Sequence, residues 1–126
     1  MSDSIDRLYG AVLEAMDGDP SSSRTARLLR SGRSKIAKKV AEEAVEVVIE
    51  AMNGHHDSVV RESADLLYNL AVLWASVDVE PKAVWKEMQR RERLFGIAEK
   101  LAKQRSLIKA RRKIPARQNG RMRKRG

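Results

Sequence analysis

The sequence contains no cysteine among its 126 residues. This absence excludes a disulfide-stabilised scaffold, a cysteine-ligated zinc site and a cysteine nucleophile. Aromatic residues make up only 4% of the chain, so alanine, valine, leucine and isoleucine must supply the core. No apolar run approaches the roughly 18 residues of a membrane span, and the N-terminus lacks the pattern of a secretory signal. These features fit a cytoplasmic location.

Acidic residues are missing from the C-terminal end of the chain. Residues 104–126 contain ten Lys or Arg and no Asp or Glu, which leaves 16 basic and 17 acidic residues for residues 1–103. The net charge of +9 therefore belongs to the C-terminal segment, and the rest of the chain is close to neutral. We interpret the sequence as one domain over residues 1–103, followed by a basic, flexible tail over residues 104–126 that is disordered beyond Pro115.

The alternating pattern of β-strands is also absent, and helical periodicity predicts an all-α fold with five helices. The predicted helices run from about Ser4 to Met16, through SRTARLLR, from Ser34 to Met52, from Asp57 to Val77 and from Pro81 to about Lys103. Ser34 and Asp57 are N-cap candidates, and Pro81 suits a first helical turn. Gly32 and the pair Asn53-Gly54 are expected to end the second and third helices.

Carboxylates interrupt the apolar pattern of the third and fourth helices. At about 100° per residue, Glu42, Glu43 and Glu46 share one arc of the third helix. Glu62 and Asp65 border the apolar face of the fourth helix in the same way. The predicted core face of that helix holds Val59, Leu66, Leu70, Leu73 and Trp74. Because the connection NGHHD is short, the two helices are antiparallel neighbours and their acidic stripes meet.

Carboxylates gathered beside a core repel each other and lose hydration. A hard divalent cation such as Mg²⁺ compensates for both effects, and a cation held in this way usually serves phosphate chemistry. The alternative is a solvated charged face on which Glu42 and Glu46 pair with Lys38 and Lys39. The spacing alone leaves both interpretations open.

The same acidic residues carry a resemblance to known enzymes. EEAVE at 42–46, followed by ESAD at 62–65, resembles the Glu-Glu-x-x-Glu … Glu-x-x-Asp signature of the all-α, MazG-type nucleoside triphosphate pyrophosphohydrolases. The longer stretches 23–51 and 62–73 resemble the phosphoribosyl-ATP pyrophosphohydrolase family. This resemblance implies a dimeric helical bundle and Mg²⁺-dependent hydrolysis of phosphoribosyl-ATP to phosphoribosyl-AMP and pyrophosphate, a step of histidine biosynthesis.

The resemblance also assigns roles by position. The metal ligands would be Glu43, Glu46, Glu62 and Asp65. Glu42 would be a further ligand or a base that orients water, so Glu42 and Glu43 are the catalytic candidates. The candidate substrate-binding residues are Arg24, Arg27, Lys35, Lys39 and Asn69. Asn69 is a departure, because the family more often has His there, and Asn can hydrogen-bond a ligand but cannot carry protons.

Two other functions are compatible with the sequence. A house-cleaning pyrophosphohydrolase for non-standard or deoxy nucleotides would share the metal site, although TARLL at 25–29 favours phosphoribosyl-ATP. The C-terminal extension, which is longer than is usual in the family, raises the chance of a paralogue with a shifted substrate. A non-catalytic helical protein could instead bind nucleic acid through its basic tail, in a salt-dependent manner. That function leaves the carboxylates unexplained, so we expect at most a weak nucleic-acid contact.

The far side of the third helix is apolar as well. Val45, Ile49 and Met52 share this side, which predicts the interface of a homodimer. The alternative is that the first or fifth helix of the same chain covers these residues.

Overall fold

A computed structural model describes residues 2–113, with side chains described for residues 4–96 and 99–111. The described residues form five α-helices and no strand, which confirms the predicted all-α fold. The helices are α1 (Ser2–Ala15), α2 (Arg24–Arg30), α3 (Arg33–Met52), α4 (His56–Ser76) and α5 (Pro81–Lys113). Within residues 2–113, no helix has the length and apolar character needed to cross a bilayer. Among the described residues, the chain divides into two units, residues 2–85 and residues 86–113.

The core of the first unit lies around α4. This helix pairs with α3 along the hairpin and also contacts α1 and α2. A cluster of buried core residues consists of Tyr9, Val12, Ile36, Val72 and Ala75. Leu28 and Leu29 of α2 pack against this cluster. The short helix α2 is therefore fixed on the same bundle that carries the acidic residues of α3 and α4.

The junction between α2 and α3 is only two residues long. Ser23 caps α2, since its Oγ accepts a hydrogen bond from the backbone N–H of Ala26 at 3.1 Å. Gly32 has a φ of +99°, which confirms its predicted role at the end of α2. The prediction that Ser34 caps α3 is wrong, because the N-cap is Gly32 and Ser34 lies in the first turn. Because the junction is so short, Gly32 is both the residue after the C-cap of α2 and the N-cap of α3.

The turn between α3 and α4 follows Asn53, as predicted, with Gly54 at a φ of +71°. The N-cap prediction for Asp57 is wrong, because α4 begins at His56 after an N-cap at His55. Asp57 lies in the first turn, where its negative charge interacts favourably with the positive end of the helix dipole. His55 Nδ1 lies 2.7 Å from Glu50 Oε1, which joins the end of α3 to the start of α4.

Helix α5 begins at Pro81, as predicted, but it extends past the expected end near Lys103 to Lys113. Residues 97–113 contain no Gly or Pro and are rich in Ala, Leu, Lys and Arg, which favour helix. The first part of the predicted flexible tail is therefore helical. Residues 114–126, which include the whole segment predicted to be disordered, lie outside the described residues.

Candidate metal centre and anion cleft

Three of the predicted metal ligands meet at the α3–α4 interface. One carboxylate oxygen from each of Glu43, Glu62 and Asp65 lies within 4.8 Å of the other two. Glu43 projects from α3, and the other two residues project from α4, three residues apart on one face. Glu43 and Glu62 are half-buried, whereas Asp65 is exposed. The antiparallel hairpin thus joins the acidic stripes of the two helices into one cluster.

The electrostatics of this cluster are unfavourable without a cation. Burial raises the pKa of Glu43, as do hydrogen bonding with Glu62 and repulsion from Glu62 and Asp65, while Lys39 acts in the opposite direction. Oε1 of Glu43 is buried and has no hydrogen-bond partner within the part of the chain that the structure describes. Hard oxygen donors, one of them desolvated and unpaired, are the ligands that Mg²⁺ takes in proteins. The residues present therefore fit a divalent cation.

Glu42 and Glu46 do not join this group of three carboxylates. Both are exposed on α3, next to Glu43 and one turn beyond it, respectively. The alternative pairing of these residues with Lys38 and Lys39 is not formed, because the ion pairs among the described residues are elsewhere in the chain. The predicted roles of Glu42 as ligand or base and of Glu46 as ligand stay predictions.

A cleft of about 340 Å³ contains all five candidate substrate-binding residues. Its lining consists of Arg24, Arg27, Leu28, Ser31, Lys35, Lys39, Tyr68 and Asn69. Lys39 precedes Glu43 by one turn of α3, and Asn69 follows Asp65 by one turn of α4, so the cleft adjoins the carboxylate cluster. None of its four cations forms an ion pair in the part of the chain that the structure describes. The cleft is therefore suited to a ligand with several negative charges.

Two residues that the sequence analysis missed hold one wall of the cleft. The hydroxyl groups of Thr25 and Tyr68 form a 2.7 Å hydrogen bond between α2 and α4. The guanidinium of Arg24 lies 6.0 Å from the centre of the Tyr68 ring. Arg27 is fixed separately, because its Nη1 donates to the carbonyl of Pro20 at 2.8 Å. The spacing of three residues from Asp65 to Tyr68 was the available signal that Tyr68 borders the site.

Asn69 occupies the inner wall of the cleft and is only 3% exposed. Its Nδ2 donates to the backbone carbonyl of Asp65 at 2.8 Å. Its Oδ1 is buried and accepts no hydrogen bond from any of the described residues. The amide thus presents one unused acceptor beside the carboxylate cluster.

Comparison with known proteins gives consistent results over this region. The model of a family described as phosphoribosyl-ATP pyrophosphohydrolase matches residues 6–92, a range that contains the cluster and the cleft. A protein named phosphoribosyl-ATP pyrophosphatase 2 from Rhodopseudomonas palustris is 67% identical over 105 residues, which cover 83% of this chain and 80% of that protein. The protein of the same name from Bradyrhizobium diazoefficiens is 69% identical over 103 residues, covering 82% and 77%. A phosphoribosyl-ATP pyrophosphatase from Azospirillum brasilense is 52% identical over 99 residues, covering 79% and 89%.

Proposed function

The chain belongs to the phosphoribosyl-ATP pyrophosphohydrolase family, and on this basis we propose that it hydrolyses phosphoribosyl-ATP with Mg²⁺ held by Glu43, Glu62 and Asp65. The reaction gives phosphoribosyl-AMP and pyrophosphate and is a step of histidine biosynthesis. The substrate is a small nucleotide. The cytoplasmic location expected from the composition stays a prediction.

Three converging carboxylates next to a cleft with four cations are the observation that supports this mechanism. Phosphoribosyl-ATP carries a triphosphate and a separate phosphate, so it needs several cationic contacts. Lys35 and Lys39 of α3 line the cleft, and in this proposal they bind the triphosphate. Arg24 and Arg27 lie on α2, and their planar guanidinium groups can bind phosphate oxygens in pairs.

The residues of the carboxylate cluster differ in the helix that carries them and in their exposure. Glu43 and Glu62 are half-buried and would hold the cation from opposite helices, while Asp65 is exposed and would complete the set. A bound Mg²⁺ would supply charge neutralisation to the phosphate oxygens. Glu42 is exposed on α3 next to Glu43, and in this proposal it orients the attacking water. Glu46 is the remaining candidate ligand, one turn from Glu43.

The proposed function is tested by pyrophosphate release from purified protein with Mg²⁺. Phosphoribosyl-ATP is offered beside dUTP, dCTP, dATP and ATP as separate substrates. We expect turnover of phosphoribosyl-ATP and little turnover of the other four. Faster turnover of one of the deoxynucleotides would instead support a house-cleaning pyrophosphohydrolase. Absence of turnover with every substrate would contradict the proposed enzyme.

The outer face of α3 supports a second part of the proposal, a homodimer. Val45, Val48, Ile49 and Met52 recur at helical spacing on this face, and Val45 and Met52 are 55% and 82% exposed. Contiguous apolar surface of this kind marks an interaction site in a protein that folds in water. A second copy of the chain would bury this face against its own α3.

The homodimer is tested by measuring the mass of the protein at micromolar concentration by sedimentation. We expect a dimer for the wild type and a monomer for Ile49→Asp, because a buried unpaired carboxylate opposes association. Leu13→Asp is the matched control, since Leu13 is an exposed leucine on α1. A monomeric wild type would refute the dimer.

We also propose a weak nucleic-acid contact through the basic segment. Arg105, Lys109 and Arg111 are exposed on α5 and are followed by further basic residues. Such a contact would be independent of nucleotide sequence and would weaken as salt increases. Truncation after Lys103 should abolish retention on RNA and leave hydrolysis unchanged. Equal retention of the full-length and truncated proteins would exclude this role.

A further inference from the structure

The side chain of Asn69 is half satisfied in a place where an unpaired polar atom is costly. Its amide nitrogen is bonded to the carbonyl of Asp65, so the orientation of the amide is fixed along α4. Its oxygen is buried, 97% of the residue being inaccessible, and no donor reaches it in the described part of the chain. A buried acceptor of this kind normally has a partner. Since Asn69 lines the cleft, a bound ligand is the natural source of the missing donor.

The chemistry of the ligand limits which of its groups can be that donor. Phosphate oxygens accept hydrogen bonds at neutral pH and cannot donate to a carbonyl. In phosphoribosyl-ATP, the group that follows the α-phosphate is a ribose, and its hydroxyls are the nearest neutral donors. Asn69 lies four residues beyond Asp65, a rise of about 6 Å along α4. That separation places Asn69 near the ribose when the α–β linkage lies at the carboxylate cluster.

We propose that Oδ1 of Asn69 accepts a hydrogen bond from the 2′-hydroxyl of the ribose attached to the α-phosphate, and so makes the enzyme selective for ribonucleotides. This inference rests on the proposed function, because it takes the carboxylate cluster as the site of cleavage. Asn69 is then a specificity-determining residue. The contact also distinguishes the two substrate classes, because a deoxynucleotide, the substrate of a house-cleaning enzyme, has no hydroxyl at the 2′ position.

The test compares phosphoribosyl-ATP with analogues that lack the 2′- or the 3′-hydroxyl of that ribose. For the wild type, we expect kcat/KM to fall by about 10-fold to 100-fold for the 2′-deoxy analogue, because Oδ1 is then left unpaired, and to change less for the 3′-deoxy analogue. This part needs no substitution, so it does not depend on the folding of a variant. A kcat/KM for the 2′-deoxy analogue equal to that for the parent substrate, or a loss confined to the 3′-deoxy analogue, would overturn the proposal.

The Asn69→Leu variant keeps the volume of the side chain and removes the acceptor. We expect lower kcat/KM for phosphoribosyl-ATP and a loss of discrimination, so that parent and deoxy analogues react within about twofold of each other. Asn69→His restores a ring-nitrogen acceptor and should recover part of the discrimination. If the leucine variant discriminates as well as the wild type, another residue reads the hydroxyl.

A different role for Asn69 is distinguished by the dependence of the rate on Mg²⁺. An amide oxygen is also a possible cation ligand. If Asn69 reads the ribose, the Mg²⁺ concentration for half-maximal rate is unchanged in Asn69→Leu. An increase of more than about tenfold would make Asn69 a cation ligand and would overturn the proposal.

If the proposed function is wrong, the wild type will not turn over phosphoribosyl-ATP. In that case, calorimetric binding of phosphoribosyl-AMP and its deoxy analogues measures the hydroxyl contact directly. Weaker binding of the 2′-deoxy analogue to the wild type, and equal binding of the three ligands to Asn69→Leu, would support the contact. Equal binding of all three ligands to the wild type would refute it.

Discussion

The hydroxyl groups of Thr25 and Tyr68 lie 2.7 Å apart and link α2 to α4 across 43 positions of sequence. The ring of Tyr68 also faces the guanidinium of Arg24 at 6.0 Å. The short helix α2 has seven residues and cannot be stable alone. This hydrogen bond therefore helps to keep the α2 wall, and Arg24 with it, in position over the cleft.

Removal of this hydrogen bond should weaken substrate binding more than catalysis. For Tyr68→Phe and for Thr25→Val, we expect KM for phosphoribosyl-ATP to rise about 3-fold to 10-fold, with a smaller change in kcat. The double variant should resemble the single variants, since both remove the same bond. Tyr9→Phe is the matched control, because the described hydrogen bonds do not include its hydroxyl. Fully additive effects of the two substitutions would contradict the coupling.

The raised pKa of Glu43 predicts how stability depends on pH in the absence of a cation. Burial raises this pKa above its ordinary value of 4.5. Between the two pKa values, the carboxyl group is therefore protonated in the folded protein and ionised in the unfolded chain. The charged carboxylate thus destabilises the fold above the raised pKa, and stability is gained as pH falls from there towards 4.5.

Glu43→Gln should therefore raise the Tm of the metal-free protein at neutral pH, by about 3 °C, while abolishing hydrolysis. The gain in Tm should shrink near pH 4, where the wild-type carboxylate is protonated as well. Scanning calorimetry in EDTA measures both values, and Glu14→Gln serves as a control at an exposed glutamate of α1. A lower Tm for Glu43→Gln at neutral pH would show that the carboxylate is stabilising, contrary to its surroundings.

Lys39 is expected to bind the triphosphate through its charge. It lies in the cleft one turn before Glu43 and forms no ion pair among the described residues. Lys39→Gln should raise KM for phosphoribosyl-ATP about tenfold, because a charge-assisted contact to phosphate is lost. The neighbouring Lys38 lies outside the cleft, so Lys38→Gln is the matched control. Equal KM values for the two variants would exclude Lys39 from the binding site.

The conformations of two glycines predict opposite effects of alanine on stability. Gly10 lies within α1, and a Cβ added there meets no atom within 4 Å. Gly10→Ala should raise the free energy of unfolding by about 0.5–1 kcal/mol, since alanine favours helix. Gly32 has a φ of +99°, so Gly32→Ala should lower it by about 1 kcal/mol or more. Urea denaturation distinguishes the two, and a stabilising Gly32→Ala would contradict the assigned backbone.

The sequence alone predicted the helices of the bundle and three members of the carboxylate cluster. Helical periodicity and the spacing between Glu62 and Asp65 are local properties, so they can be recognised without knowledge of the tertiary structure. The short turn at Asn53-Gly54 then fixes the pairing of the two helices. The five substrate-binding candidates also meet in one cleft, because they lie on the faces of α2, α3 and α4 that line it.

The deepest part of the core was not predictable in this way. Leu66 and Leu70, which lie on the predicted core face of α4, are half-buried, whereas the small residues Ala71 and Ala75 are buried. These alanines and Val72 face another side of α4, and α1 packs on this helix. Periodicity within one helix does not reveal which other helix approaches it, or how closely.

The predicted length of α5 was also too short. The basic composition of residues 104–126 suggested a flexible tail, but the helix continues to Lys113. The link between Thr25 and Tyr68 was missed for a different reason. Two residues 43 positions apart carry no local sign that they will meet.

Pyrophosphate release from phosphoribosyl-ATP, measured as Mg²⁺ is titrated into EDTA-treated protein, tests the central claim most directly. The claim is that Glu43, Glu62 and Asp65 hold the cation that hydrolysis requires. The wild type should be inactive without Mg²⁺ and should saturate as Mg²⁺ increases, and Glu62→Gln should need at least about tenfold more Mg²⁺ or show no activity. Hydrolysis at full rate in EDTA, or a Glu62→Gln variant with the Mg²⁺ dependence of the wild type, would contradict the claim.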